Sequence, residues 1–313
     1  MSTATSDPGG ALPRVSVVVP VLNAAGEIGR LVESLLAQDY PRDRLEIFVV
    51  DNGSTDGTDD VVAGFDVNLL RARRLQSSYA ARNRALTDVT GEWVAFTDAD
   101  CFAPPEWLRA LLAPPIPDDV GAVAGEIDAL ELATPVQRLT ERFGIMKHAE
   151  TMHHKAVPCF STANVAVRRE VLEKLGGFRD DTRFFGDMEL SWRMQLELDR
   201  RLLYRPEAAI LHRHRRTWGQ LWRHGRGHGR GVAYMKKRHP EIYRIKPGEQ
   251  LGRISALTRL VRNAIGGRGK IASGPDRWYA PLFLATWYLG MGTGYLMGPA
   301  RSRVPRRARA RES

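Results

Sequence analysis

The sequence predicts an α/β fold built on a mostly parallel, doubly wound sheet, and three observations carry that reading. Apolar runs rich in β-branched residues recur at Val15–Val19, Glu46–Val50 and Glu92–Thr97. Segments of helical periodicity separate them. Polar loops follow each run, as in open sheets that bind ligands beyond the carboxyl ends of their strands.

Each element has its own signal. Val15–Val19 (VSVVV) is continuous in β-branched residues, which suits a strand buried on both faces, and Pro20 closes it. Ile28, Leu31, Val32, Leu35 and Leu36 then fall at i, i+3, i+4, i+7 and i+8, the apolar stripe of a helix that Asp39-Tyr40-Pro41 ends. Glu46–Val50 (EIFVV) is a second buried strand, followed by the polar loop Asp51–Gly57 (DNGSTDG). A short helix near Asp59–Phe65, a strand near Asn68–Leu70 and an Ala- and Arg-rich helix over Ser78–Leu86 come next. Glu92–Thr97 (EWVAFT) is another strand, ending in Asp98-Ala99-Asp100. The glycines after Val19 do not spell GxGxxG, and GxxxxGK[ST] does not occur. Nicotinamide-dinucleotide and P-loop readings lose their main supports.

Composition narrows the class. With 313 residues and 43% hydrophobic side chains, the chain has material for one large α/β domain with an elaboration, or two domains, and is no disordered polymer. Its two cysteines, Cys101 and Cys159, form no CxxC pair, which speaks against a disulfide scaffold and a structural zinc site. The opening MSTATSDPGGALPR lacks the apolar run of a signal peptide, so residues 1–13 read as a disordered lead-in and the location as cytoplasmic.

The net charge of +10 is unevenly distributed. Residues 1–199 carry 20 basic and 31 acidic side chains (−11), residues 200–270 carry 19 and 3 (+16), and residues 271–313 carry 7 and 2 (+5). An acidic body with a basic C-terminal region is the pattern, not a uniformly basic nucleic-acid binder.

Two acidic pairs stand out. Asp98 and Asp100 follow an apolar strand two residues apart, so in extended chain both carboxylates face one side. A hard divalent ion, Mg²⁺ or Mn²⁺, relieves their repulsion and is commonly shared with substrate phosphates. Asp187 and Glu189 lie in FGDMELSWR at the head of a helical stretch. By spacing alone Asp187 is equally a general base and a helix N-cap.

Taken in order, SVVVPVLNA, EIFVVDNGSTDGT, AARNRAL, GEWVAFTDAD, STANVAVRREVLEKLGGF and GDMELSWRM resemble a family 2 glycosyltransferase of the GT-A fold, over residues 14–216. That family moves a sugar from a nucleotide-sugar donor to an acceptor hydroxyl with inversion. The resemblance implies that Pro20, Val21 and Asn23 line the nucleotide pocket, that Glu27 approaches the nucleotide, and that Asp51 reads the base, usually uracil, with Gly53 and Ser54 in its loop. It places Ala80, Arg82 and Asn83 beside the nucleotide and gives Asp98 and Asp100 the metal and diphosphate. Asp187 becomes the catalytic base; Asn164, Glu189 and Trp192 fall on the acceptor side. The sequence departs from the pattern at Gly186, where Glu is common. In this family a histidine after the last strand often completes the metal site, for which His212 is the first choice and His214 the alternative. Arg215 and Arg216 suit the donor diphosphate through their guanidinium forks.

The expected organisation is therefore a catalytic domain over 14–216, with a nucleotide-sugar half (14–100) and an acceptor half (101–216). A basic, Gly-rich extension (217–275), an apolar segment (276–300) and a basic tail (301–313) follow. Glycines at 225, 227, 229 and 231 disfavour a stable helix, so that stretch reads as a mobile cover for bound donor. The 23 uncharged residues between Arg277 and Arg301 have the length of a bilayer span, yet hold Pro281 and four glycines. A spanning helix, a monotopic segment at an anionic membrane surface and a hairpin packed on the body all stay open. Met152-His153-His154-Lys155 reads as an acceptor-side loop. The function expected is metal-dependent (Mn²⁺ or Mg²⁺), inverting transfer from a UDP-sugar to a saccharide, lipid-linked or other hydroxyl acceptor, with no nucleic acid involved. The alternatives are a nucleotidyltransferase-like enzyme and a non-enzymatic polyanion-binding module.

Overall fold

The computed structural model describes residues 12–72, 75–152, 157–242 and 275–302. The expectations for residues 1–11, for His153, His154 and Lys155, for 243–274 and for 303–313 lie outside the described residues.

One sheet of eight strands organises the catalytic body, in the order β3-β2-β1-β4-β7-β6-β8-β5. Its strands are β1 (Val15–Val21), β2 (Leu45–Asp51), β3 (Asn68–Arg71), β4 (Trp93–Phe96), β5 (Cys101–Phe102), β6 (Val120–Ala129), β7 (Val165–Arg168) and β8 (Arg201–His212). β1 is parallel to β2 and β4, with Val17 opposite Ile47 and Ala95. β7 is antiparallel to both β4 and β6, and β5 to β8. The first four strands thus form the parallel, crossover-linked half, and a mixed half follows.

Both faces of β1, β2 and β4 are buried, as their unbroken apolar runs require, while the edge strand β3 is only partly covered. Val15, Val17 and Val19 point into one core with α1 (Ile28–Leu36) and α4 (Trp107–Leu112). Val18, Phe48 and Val50 point into the other, with α3 (Ser78–Ala85), α7 (Arg169–Leu175) and α8 (Gly186–Glu197). The short helix after β2 is α2 (Thr58–Ala63), which begins one residue earlier and stops two earlier than its pattern suggests. α5 (Pro135–Arg142) opens with a capping box from Thr134 and Gln137, and α6 (His148–Met152) follows it.

The Gly-rich stretch corrects the sequence reading. It lies in a 21-residue helix, α9 (Trp218–Arg238), started by a second capping box from Thr217 and Gln220. Its glycines are contact sites. A Cβ at Gly229 would meet Met291 O at 1.9 Å, and one at Gly294 would meet Arg226 O at 1.9 Å. Gly225 and Gly229 on α9, with Gly290 and Gly294 on α10 (Ala280–Leu296), let the two backbones touch. Close packing over the length of α10 offsets the roughly 1 kcal/mol per glycine that helix propensity costs. Gly227 and Gly231 face the other way and receive the rings of Phe184 and Phe185.

The apolar segment is therefore one helix laid against α9, with Phe283, Leu284 and Trp287 buried alongside Val136, Leu139 and Leu221. Asp276, just before it, is tied to Arg138 of α5 by an ion pair. Among the described residues no helix is long and apolar enough to cross a membrane.

Candidate active site

The loops after β1, β4 and β8 and the start of α8 enclose a cavity of 770 Å³. Of the residues expected to bind donor or act in transfer, Pro20, Asn23, Glu27, Arg82, Asp98, Asp100, Asp187, His212 and Arg215 line it.

Sheet register builds the metal end. Asp98 and Asp100 follow β4, and β5, starting at Cys101, pairs antiparallel with the end of β8, so that Cys101 sits opposite His212. Arg213 N–H donates to Asp100 O at 3.0 Å and fixes the same register. One ligand atom from each of Asp98, Asp100 and His212 falls within 4.8 Å of the others. His212 Nε2 is 3.4 Å from Asp100 Oδ1. Burial lowers the pKa of His212 although the two aspartates pull it up, which leaves the imidazole neutral. Two carboxylates and a neutral imidazole form a donor set that fits Mn²⁺ or Mg²⁺.

His214, the second histidine of the β8 exit, serves its neighbour. Its Nδ1 is 3.3 Å from His212 Nδ1, and its Nε2 is 3.0 Å from Glu141 Oε2. With His214 donating from Nε2 to Glu141, its Nδ1 accepts the His212 Nδ1 proton. His212 Nε2 then keeps a lone pair toward the aspartates.

Arg82 lies between the acidic groups. Its Nη2 donates to Asp98 Oδ1 at 2.6 Å, and its side chain is 2% exposed. Its Nε is buried without a partner among the described residues.

Asp187 sits in the first turn of α8, and the helix N-cap is Phe185, held at φ 62°. This is an uncommon conformation for an aromatic residue. The N-cap alternative for Asp187 is thereby excluded. Its Oδ1 accepts from Tyr79 Oη at 3.2 Å and Met188 N at 2.9 Å, and its Oδ2 from Thr162 N at 3.4 Å. Burial raises its pKa above the ordinary carboxylate value, against the pull of Met188 N–H, Arg82, Thr162 N–H and Tyr79. A carboxylate lifted in this way is a better proton acceptor.

Tyr79 also accounts for the departure at Gly186. A Cβ there would meet the Tyr79 ring at 2.8 Å. The tyrosine fills the space of a residue-186 side chain, and its hydroxyl supports Asp187. Sequence reading passed over Tyr79; its position three residues before Arg82, one turn earlier on α3, was the available signal. His148 was also missed. It lines the cavity as a neutral imidazole, Nδ1 donating to Gly125 O at 2.5 Å and Nε2 accepting from Ser161 N at 2.6 Å.

Other expected residues shape the site from behind. Asp51 is buried and accepts from Ser54 N (2.9 Å) and Gly53 N (3.3 Å), holding the loop after β2. Ser54 Oγ accepts from Asn23 N, and Asn23 Oδ1 from Thr55 N, which ties that loop to the one after β1. Val21 is core, Asn83 clamps the Phe178 backbone through both of its amide atoms, and neither lines the cavity. Ala80 does not line it either, and Arg216 is exposed at the head of α9.

The three acceptor-side residues belong to the interior, a correction to the sequence reading. Asn164 accepts from Trp107 Nε1 and donates to Glu126 O and Ala208 O, stitching β6 and β8. Glu189 is wholly buried in an ion pair with Arg193, because it lies two residues beyond Asp187 on the opposite side of α8. Trp192 packs with Cys159, Tyr234 and Met235.

With that geometry in place, the chain can be compared with known proteins. The sequence profile of glycosyl transferase family 2 matches residues 16–176, just over half of the chain. The chain belongs to that family. This family 2 chain is 32% identical over 184 residues to glycosyltransferase AglE of Haloferax volcanii, covering 56% of this chain and 60% of that protein. It is 32% identical over 269 residues to the pre-mycofactocin glycosyltransferase of Mycobacterium tuberculosis, covering 83% of this chain and 54% of that protein. It thus spans between half and two thirds of the length of these curated relatives. Among solved structures it resembles the mannosyltransferase PcManGT from Pyrobaculum calidifontis, solved with GDP-Man and Mn²⁺, with a TM-score of 0.63 at 24% identity over 93% of this chain and 90% of that one. Glucosyl-3-phosphoglycerate synthase from Mycobacterium tuberculosis, solved with Mn²⁺ and UDP, follows with a TM-score of 0.50 at 20% identity, covering 72% of this chain and 80% of that one. These two likenesses carry the GT-A fold.

Proposed function

We propose that the chain transfers a glycosyl group from a nucleotide-sugar donor to an acceptor hydroxyl, with inversion at the anomeric carbon. The observation that carries this reading is a single cavity holding Asp98, Asp100 and His212 together with a hydrogen-bonded Asp187 of raised pKa. In this reading Asp98, Asp100 and His212 hold a divalent cation. Bound there, the cation supplies charge neutralisation at the leaving diphosphate. Arg82 fixes Asp98, and Arg215, 3.5 Å from Asp100, adds a guanidinium beside the same diphosphate.

Asp187 takes the proton of the acceptor hydroxyl as that oxygen attacks the anomeric carbon. Tyr79 and the amides of Met188 and Thr162 keep the carboxylate aimed into the cavity. One displacement of this kind inverts the centre and leaves no covalent enzyme intermediate. We take residues 14–216 as the catalytic unit, with α9 and α10 as a buttress behind Phe184 and Phe185. A UDP-sugar is the proposed donor, on the resemblance of the Asp51 loop. GDP-mannose, the ligand of the Pyrobaculum calidifontis mannosyltransferase, is the alternative to include. Consumption of UDP- and GDP-sugars measured with and without Mn²⁺ tests the reading: metal-dependent turnover supports it, and failure to bind or consume any of them overturns it.

A peripheral contact with an anionic membrane surface is part of this proposal, and α10 supports it. The helix is apolar on both faces, and among the described residues protein covers only one. Leu282, Leu289 and Leu296 line the other, with Leu296 87% exposed, and the exposed Trp278 just precedes the helix. Arg277, 4.7 Å from the Trp278 ring, and Arg301 flank this face. Aromatic and basic flanks suit a helix lying in the headgroup layer. Co-sedimentation with phosphatidylglycerol vesicles that falls on L289E/L296E substitution is expected; equal sedimentation of both proteins would remove this part of the proposal.

A further inference from the structure

A second cavity, of 560 Å³, opens beside the catalytic one and shares Arg183, Phe184, Arg215 and His224 with it. Six arginines line it: Arg183, Arg215, Arg223, Arg226, Arg230 and Arg301. Among the described residues no carboxylate does. Like charges gathered in one concave site repel, and the potential they create draws an anion.

Packing fixes the backbone that presents Arg223, Arg226 and Arg230. Arg223, Arg226 and Arg230 fall at i, i+3 and i+7 of α9, on one face of the helix. α9 cannot turn that face away, since Gly225 and Gly229 are pressed on α10 while Gly227 and Gly231 receive Phe184 and Phe185. Arg230 is braced by Gly298 O and Pro299 O, both at 3.1 Å. Arg183 N–H donates to Ala300 O at 3.1 Å, which fixes its backbone at the rim. Arg223 and Arg226 make no ion pair among the described residues. Between the two cavities, His224 Nδ1 is closed off from solvent and has no hydrogen-bond partner among the described residues. The sheet-end site, with Arg215, already accounts for the donor diphosphate, so the other five arginines call for a second anion. Planar guanidinium forks match the oxygens of a phosphate better than those of a neutral sugar.

We propose that this cavity seats a phosphate group of the acceptor, so that the acceptor is a phosphate-bearing molecule whose hydroxyl reaches Asp187 through the opening shared by the two cavities. The proposal rests on the transfer reading above for the role of the ligand, while the phosphate site itself can be tested without turnover. A soluble phosphate monoester and the phosphate headgroup of a lipid present the same chemistry to these arginines.

The experiment is calorimetric titration of the full chain with inorganic phosphate in low salt and EDTA, which removes any contribution of bound metal. Saturable binding is expected. The R223Q/R226Q variant is expected to weaken it at least about tenfold, because hydrogen bonds between guanidinium and phosphate are charge-assisted and the substitution removes two such donors. The exposed Arg238 at the far end of α9 is the control, and R238Q leaves the affinity unchanged. If the double variant does not fold, the single variants R223Q and R226Q read the same loss. Absence of saturable binding to the wild type, or equal affinity in folded wild type and variants, overturns the proposal. Glycerol 3-phosphate and geranyl phosphate then separate the sources: comparable affinities assign a soluble acceptor, and a clear preference for geranyl phosphate assigns a lipid-borne one. A wild type that consumes donor but shows no saturable phosphate binding would refute this site alone, and a wild type that binds phosphate but consumes no donor would refute the transfer reading alone.

Discussion

His212 Nδ1 lies 3.3 Å from His214 Nδ1, which sets the tautomer of the imidazole that faces Asp98 and Asp100. Glu141, 3.0 Å from His214 Nε2, anchors the relay. Groups that orient a metal-binding histidine from behind are worth about 10–100-fold in metal affinity. H214A is therefore expected to weaken Mn²⁺ binding by about that factor, and E141Q in the same direction. Calorimetric titration with Mn²⁺ checks this; unchanged affinity in both variants would show that the relay does not orient His212.

Asp187 gives a pH signature. Its pKa is raised mainly by burial, so the acid limb of kcat/KM should lie above the ordinary carboxylate range, with activity gained as pH rises through it. The Tyr79 hydroxyl stabilises the carboxylate, so Y79F should move the limb to still higher pH. D187N should lower kcat by roughly 10²–10⁴-fold. The stability effect has the opposite sign. A carboxyl whose pKa is higher folded than unfolded gives stability that is complete below the unfolded value and lost as pH rises through the folded one. Replacing it with a neutral amide should raise the melting temperature at neutral pH. A limb at ordinary carboxylate pH, unmoved by Y79F, would contradict this account of Asp187.

The α9–α10 contact predicts opposite outcomes for neighbouring glycines. A methyl at Gly229 or Gly294 would enter a backbone carbonyl at 1.9 Å, so G229A and G294A should each destabilise by about 1–3 kcal/mol. Gly292 faces open space, and G292A should stabilise by about 0.5–1 kcal/mol through helix propensity. Thermal denaturation of the three variants reads both signs.

These contrasts show what was legible in the sequence. Strands β1, β2 and β4 were, because burial on both faces demands unbroken apolar runs, and so were Asp98, Asp100 and Asp187 as chemical candidates. β5 was not: two residues carry no period, yet its pairing with β8 brings His212 to the aspartates. Glu189 and Trp192 share a motif with Asp187, but helical geometry turns them inward. The glycines of α9 read as helix breakers because their partners lie more than fifty residues away on α10. The four-residue spacing common to Gly225/Gly229 and Gly290/Gly294 was the overlooked sign of close packing.

The most direct test of the central claim is nucleotide-sugar consumption as a function of Mn²⁺ for wild type, D100N and D187N, with donor binding measured in parallel. The account predicts that wild-type turnover requires the metal, that D100N loses metal-dependent donor binding and turnover together, and that D187N still binds donor with Mn²⁺ but no longer consumes it. Turnover indifferent to Mn²⁺, or full activity in D187N, would contradict it.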